Sequence, residues 1–100
     1  LSQDLKEAEN KVIDIAQKNV KERMSEAILM LINIFGINEE DSSLNVKLSR
    51  NEISDLIGTT TETTIRTLSL LKKEGVINLV SKKIIIKDKK KLILIASLYD

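Results

Sequence analysis

The chain has neither cysteine nor histidine among its 100 residues. A thiol nucleophile, a zinc site, an iron–sulfur cluster and a His-based acid–base pair are therefore excluded from these residues. Nor is there a glycine-rich phosphate loop, an apolar run of about twenty residues or a signal-peptide pattern. The carboxylates are scattered over charged helical faces with no apolar pocket signature, which argues against an enzyme. These absences point to a cytoplasmic, non-catalytic protein with no metal and no cofactor in this chain.

What is present suffices for one small domain and no second core. The net charge of +1 hides an asymmetry. Residues 1–44 carry five bases against nine acids, whereas residues 45–100 carry eleven bases against six acids. A polyanionic partner for the second half follows, because neutralising phosphates supplies most sequence-independent affinity for nucleic acid. Lysine-rich stretches are also common as plain solvated faces, so the asymmetry supports a motif without establishing one.

The motif lies between Leu48 and Gly75. Ser49 with Glu52 three residues on forms a capping-box signature, so a helix is predicted over Arg50 to Ile57, with Ile53, Leu56 and Ile57 on its inner face and Gly58 at its end. Thr59 or Thr60 can cap a second helix, in which Ile65, Leu68 and Leu71 or Lys72 recur at helical spacing until Gly75. Its polar stripe holds Thr60, Thr61, Glu62, Thr63, Arg66 and Ser69. Short hydroxyls around one acid and one base suit a groove better than open water. Arg can fork onto guanine O6 and N7, Glu can accept from cytosine N4, and Thr can meet a thymine methyl or a phosphate oxygen. Glu62 and Arg66, four apart, can also form an ordinary surface ion pair, and the two roles are compatible.

Around this pair of helices the chain reads simply. Leu1, Leu5, Ala8, Val12 and Ile15 form a heptad stripe suited to a partner helix, either a second copy or the body of the domain, and dimerisation is the favoured reading. Asn19 with Glu22 can cap a new helix, which makes residues 18–19 a hinge. Met24, Ala27, Ile28, Leu31, Ile32 and Phe35 describe a core helix ended by Gly36. Residues 37–46 look like a mobile acidic loop, with a short strand possible over residues 44–48. Residues 76–80 and 83–87 outline a hairpin turning at Ser81 and Lys82, a wing whose Lys82 and Lys83 are placed to touch phosphate. An ordinary solvated turn is the alternative. Asp88 then caps a closing helix from Lys89 to Leu98, packing through Leu92, Ile95 and Leu98.

This order of elements, with the stretches Asn19-Val-Lys-Glu-Arg-Met-Ser-Glu-Ala-Ile-Leu, Leu48-Ser-Arg-Asn-Glu-Ile-Ser-Asp-Leu-Ile-Gly, Glu62-Thr-Thr-Ile-Arg-Thr-Leu and Lys73-Glu-Gly-Val-Ile, resembles the C-terminal part of the Crp/Fnr family of bacterial transcription regulators. The resemblance implies base reading by Glu62 and Arg66 and phosphate contacts by Arg50, Thr60 and Thr63. Thr61 departs from members with a third, basic reader at that position, and Ile65 stands where members vary. Thr61, Glu62, Ile65 and Arg66 are thus the candidate base readers; Arg50, Thr60, Thr63, Ser69, Lys82 and Lys83 are the candidate phosphate contacts.

The resemblance also implies an N-terminal sensor barrel whose effector is unknown, since relatives sense cyclic nucleotides, oxygen through a cluster or haem-bound gases. Starting without Met, the chain is expected to be a piece of a longer protein that lacks that sensor. The expected fold is mainly α with a small β-hairpin wing (α+β), a winged helix-turn-helix over residues 19–100 preceded by the end of a dimerisation helix over residues 1–18. The expected function is sequence-specific binding, as a homodimer, to double-stranded DNA with an inverted-repeat operator, with RNA polymerase a further possible partner and no membrane. A winged-helix protein-interaction module without specific DNA binding is the alternative.

Overall fold

The computed structural model describes residues 20–97. The heptad positions Leu1, Leu5, Ala8, Val12 and Ile15, the cap at Asn19 and the closing Leu98 lie outside the described residues.

Residues 20–35 are helical (α1), followed by α2 (Arg50–Ile57), α3 (Thr61–Lys73), the strands β1 (Ile77–Val80) and β2 (Lys83–Ile86), and α4 (Lys89–Ser97). One core joins them. Met24, Ile28 and Leu31 of α1 meet Ile53 and Ile57 of α2, Leu68 and Leu71 of α3, Val76, Ile77, Ile84 and Ile86 of the hairpin region, and Leu92 and Ile95 of α4. Burial of these side chains, each contributing roughly 1.5–3 kcal/mol relative to exposure, drives the short elements together. The 8- and 9-residue helices α2 and α4 and the four-residue strands are too short to be stable alone in water.

Local chemistry sets the boundaries. Ser49 Oγ accepts from Glu52 N (3.1 Å) while Ser49 N donates to Glu52 Oε1 (2.9 Å), a complete capping box at the start of α2. Gly58 ends α2 with φ +73°, a left-handed conformation that costs glycine nothing. Thr60 caps α3 by accepting from Thr63 N at 3.1 Å. At α4, Asp88 Oδ1 accepts from Lys91 N at 3.0 Å. The mainly α architecture with a hairpin wing is as expected from the sequence.

Three apolar positions differ from the expected stripes. Phe35, Leu56 and Ile65 are 46%, 44% and 49% exposed. For Leu56 and Ile65 the reason is that hydroxyl side chains take the inner positions instead. On α3 the buried set is Thr64, Thr67, Leu68 and Leu71, and on α2 it is Ile53, Ser54 and Ile57. Ile65 is therefore not part of the buried stripe. It sits one residue, or about 100°, around from Thr64.

The segment after α1 also departs from expectation. It is tied to the wing by backbone bonds rather than forming a loop held only at its ends. Leu44 N donates to Ile84 O and Ile86 N to Ser42 O, both at 2.9 Å, and isolated bridges pair Ser43 with Ile85 and Ile37 with Leu44. Ser43 and Leu44 thus lie along the outer edge of β2, and no strand extends over residues 45–48. In the hairpin itself β1 and β2 are antiparallel, with Ile77 opposite Ile86 and Val80 opposite Lys83. Ser81 takes a positive φ of 57° at the two-residue turn.

Candidate nucleic-acid interface

The angle between α2 and α3 is fixed from inside by hydroxyls. Ser54 Oγ lies 2.6 Å from Arg50 O and 2.7 Å from Thr64 Oγ1. A carbonyl only accepts, and a hydroxyl has one proton. Ser54 therefore donates to Arg50 O, and Thr64 donates to Ser54. Both side chains are buried, at 3% and 0% exposure, so the bond operates away from competing water. A second tie crosses outside, where Thr61 Oγ1 donates to Asn51 Oδ1 at 2.6 Å. Ser54, Thr64 and Asn51 were not identified from sequence. For Ser54 and Thr64 the signal was a hydroxyl at a helical core position, which an apolar period passes over; Asn51 is exposed and carries no such signal.

With the two helices locked, the outer face of α3 is specified residue by residue. Glu62 and Arg66 form an ion pair at 3.0 Å, with side chains 83% and 69% exposed. An exposed pair of this kind is worth only a few tenths of a kcal/mol to the helix. Its effect is on direction, since it holds the guanidinium fork over the first two turns. Ile65 and Ser69 are exposed on one flank of that pair. Thr61 is half-buried and has its proton committed to Asn51, leaving its methyl and oxygen lone pairs outward. Thr60 Oγ1 donates to Thr63 Oγ1 at 2.8 Å. Thr63 consequently accepts that bond and keeps its own proton for another acceptor.

The wing brings its tip to the same end of the molecule. Glu52, at the start of α2, is held below the usual carboxylate range first by the Ser49 backbone N–H, then by the Ser49 side chain, with the charge of Lys82 adding to the effect. Lys82 thus lies within electrostatic reach of Glu52 at the start of α2. Lys83 differs, since its Nζ is 3.5 Å from Asp41 Oδ2. Asp41 in turn is held low chiefly by the Ser43 hydroxyl and backbone N–H, which lie 2.6 and 3.0 Å from its Oδ1. The bond from Thr61 to Asn51 brings the start of α2 and the first turn of α3 together; Ser69 lies about 10 Å along α3 from Glu62.

Two helices locked at a glycine turn, an outward polar face on the second, and a basic hairpin beside them define a winged helix-turn-helix. The sequence matches the family model of the Crp-like helix-turn-helix domain over residues 22–95. The chain belongs to this family, the DNA-binding domains of Crp/Fnr transcription regulators. It is similar to the nitrogen fixation regulation protein FixK of Azorhizobium caulinodans, with 28% identity over 92 residues that make up 89% of this chain and 37% of that protein. It is also similar to the catabolite activator protein of Thermus thermophilus, at 25% identity and a TM-score of 0.82, over 96% of this chain and 42% of that one. A CRP/FNR-family transcriptional regulator of T. thermophilus is similar at 31% identity and a TM-score of 0.71, over 96% of this chain and 50% of that one. The chain thus spans half or less of the length of each of these relatives. Those relatives are regulators rather than enzymes. Among the described residues, no helix is long and apolar enough to cross a membrane.

Proposed function

We propose that the chain reads a specific DNA sequence in the major groove and does so as a homodimer on an inverted repeat. The observation that carries this reading is the outward Glu62–Arg66 pair on a helix whose inner face is fully committed. Inserted by its first turns, α3 would present Arg66 to guanine O6 and N7, Glu62 to cytosine N4, Ile65 to a thymine methyl and Thr61 to the adjoining base edge. Arg50, Thr60, Thr63 and Ser69 would meet the phosphates flanking the groove. Lys82 and Lys83 would reach the backbone from the wing, Lys83 after exchanging Asp41 for a phosphate oxygen.

Pairing through Leu1, Leu5, Ala8, Val12 and Ile15 would set two recognition helices on successive major-groove faces, about 34 Å apart. The division into residues 1–18 for pairing and 19–100 for DNA binding belongs to the same reading. So do a cytoplasmic location, a sensor domain with an unknown effector elsewhere in the whole protein, and contact with RNA polymerase at the promoter. Selection of bound sequences from a random duplex pool by the whole chain tests it. An inverted repeat with half-sites one helical turn apart is the expected result. If no motif is enriched even at low salt, specific DNA reading is wrong, and the protein-interaction reading replaces it.

A further inference from the structure

At the other end of α3 stands a second basic surface with no role in the reading so far. Lys72 and Lys73 close α3, Lys87 follows the hairpin, and Lys89, Lys90 and Lys91 occupy the first turn of α4. All six are exposed. They form one locality, because Lys91 Nζ donates to Glu74 O at 3.1 Å, and Lys87 N and Asp88 N both donate to Val76 O at 3.0 Å. The two acids within it are already engaged: Glu74 pairs with Lys21 at 2.6 Å, and Asp88 caps α4. Among the described residues, Lys72, Lys73, Lys87, Lys89 and Lys90 have no carboxylate partner.

Folding does not account for this placement. The first turn of a helix carries the positive end of the backbone dipole, where cations are unfavourable, and α4 has three lysines there against the single N-cap carboxylate of Asp88. A surface kept against its local electrostatics calls for an external anion. Geometry indicates which one. Steps of 100° per residue put Lys73 on the same stripe as Glu62, Arg66 and Ser69. Glu62 and Lys73 are eleven residues apart, about 16 Å along the axis, whereas the major groove is about 12 Å wide. With Glu62 and Arg66 at base edges, Lys73 overhangs a phosphate wall, and the first turn of α4 is tied beside it by Lys91 on the Glu74 carbonyl.

Resting on the DNA-binding reading, we infer that Lys73 and the first turn of α4 form a second phosphate-binding surface that grips DNA flanking the recognised half-site. Lysines suit this role as mobile point charges that follow a backbone without reading sequence.

The test uses the whole chain, wild type and K73Q/K89Q/K90Q, with duplexes bearing the half-sites recovered by selection. One duplex ends about two base pairs outside them, and the other continues for about ten more on each side, one helical turn. On the longer duplex the triple variant is expected to lose about tenfold in affinity, with the slope of log K against log salt reduced by about two to three, at roughly 0.9 per phosphate contact. On the shorter duplex the slope falls by one or less. The variant should melt within a few degrees of the wild type, because two cations leave the positive end of α4 while one leaves the negative end of α3, so weaker binding at an unchanged melting temperature is not a folding defect. Equal losses on both duplexes, no loss on either, or a loss confined to anionic lipid vesicles overturns the inference. Wild-type binding to both duplexes keeps the DNA reading intact in those cases. Failure of the wild type to bind either duplex overturns both.

Discussion

The two faces of α3 use the same residue types to opposite ends. Inward, Thr64 and Thr67 are buried and each has its hydroxyl bonded, to Ser54 and to Thr63 O respectively, beside Leu68 and Leu71. Outward, Thr61 and Thr63 bond only to polar groups at the surface, and Glu62 and Arg66 pair with each other in water. The inner bonds are low-dielectric and fix an angle; the outer ones are weak and exchangeable. The proposed base reading needs this division, because groups that must release a partner for a base cannot also hold the fold.

Substitutions that separate the faces should sharpen the contrast. Leu68→Ala, at a fully buried position, is expected to cost about 2–5 kcal/mol of unfolding free energy. Denaturant titration measures it, and a cost under about 1 kcal/mol would mean that α3 is not seated on the core as described.

Next in size, Ser54→Ala leaves the Thr64 hydroxyl buried without an acceptor and should cost about 1–3 kcal/mol. Ser54→Ala combined with Thr64→Val removes both polar partners and should recover part of that loss. If the double variant is less stable than the single, the hydroxyl lock is misassigned. Ser49→Ala, which opens the capping box of α2, should cost about 1 kcal/mol.

On the outer side the effects move from stability to binding. Replacing Lys82 with Gln should leave the melting temperature unchanged, weaken binding to every sequence alike and flatten the salt slope by about one unit. An unchanged slope would leave the wing tip a solvated turn.

The smallest effect is on pH dependence. The Glu52 carboxyl titrates lower in the folded chain than in the unfolded one, so its contribution is present above the ordinary carboxylate range and is lost as pH falls through the folded value. Glu52→Gln keeps the reciprocal bond without the titration. It should reduce the fall in melting temperature between about pH 6 and pH 3, and an unchanged fall would remove Glu52 from the acid response.

Most of the helix ends were legible because each has a local chemical cause: Ser49 with Glu52, Gly36 and Gly58 in left-handed conformations, Asp88 before α4. The hairpin was legible from its β-branched runs. What stayed hidden required knowledge of neighbours. Nothing local to Ser54 or Thr64 says that each will supply the other's partner in the core, so the apolar period put Leu56 and Ile65 inside instead. The bridges that tie residues 42–44 to β2 are likewise non-local, and an acidic, polar segment carries no strand pattern that would reveal them. On the outer face of α3, the pairing of Glu62 with Arg66 was legible from spacing. The inter-helix bond of Thr61 to Asn51 and the pairing of Lys83 with Asp41 were not.

The central claim, that the outward face of α3 reads bases, is tested most directly by repeating the random-duplex selection with Arg66→Ala alongside the wild type. The account predicts an otherwise unchanged motif in which one guanine position per half-site relaxes, with a loss of about 1–3 kcal/mol on the wild-type site. An identical motif and affinity for both proteins would contradict it.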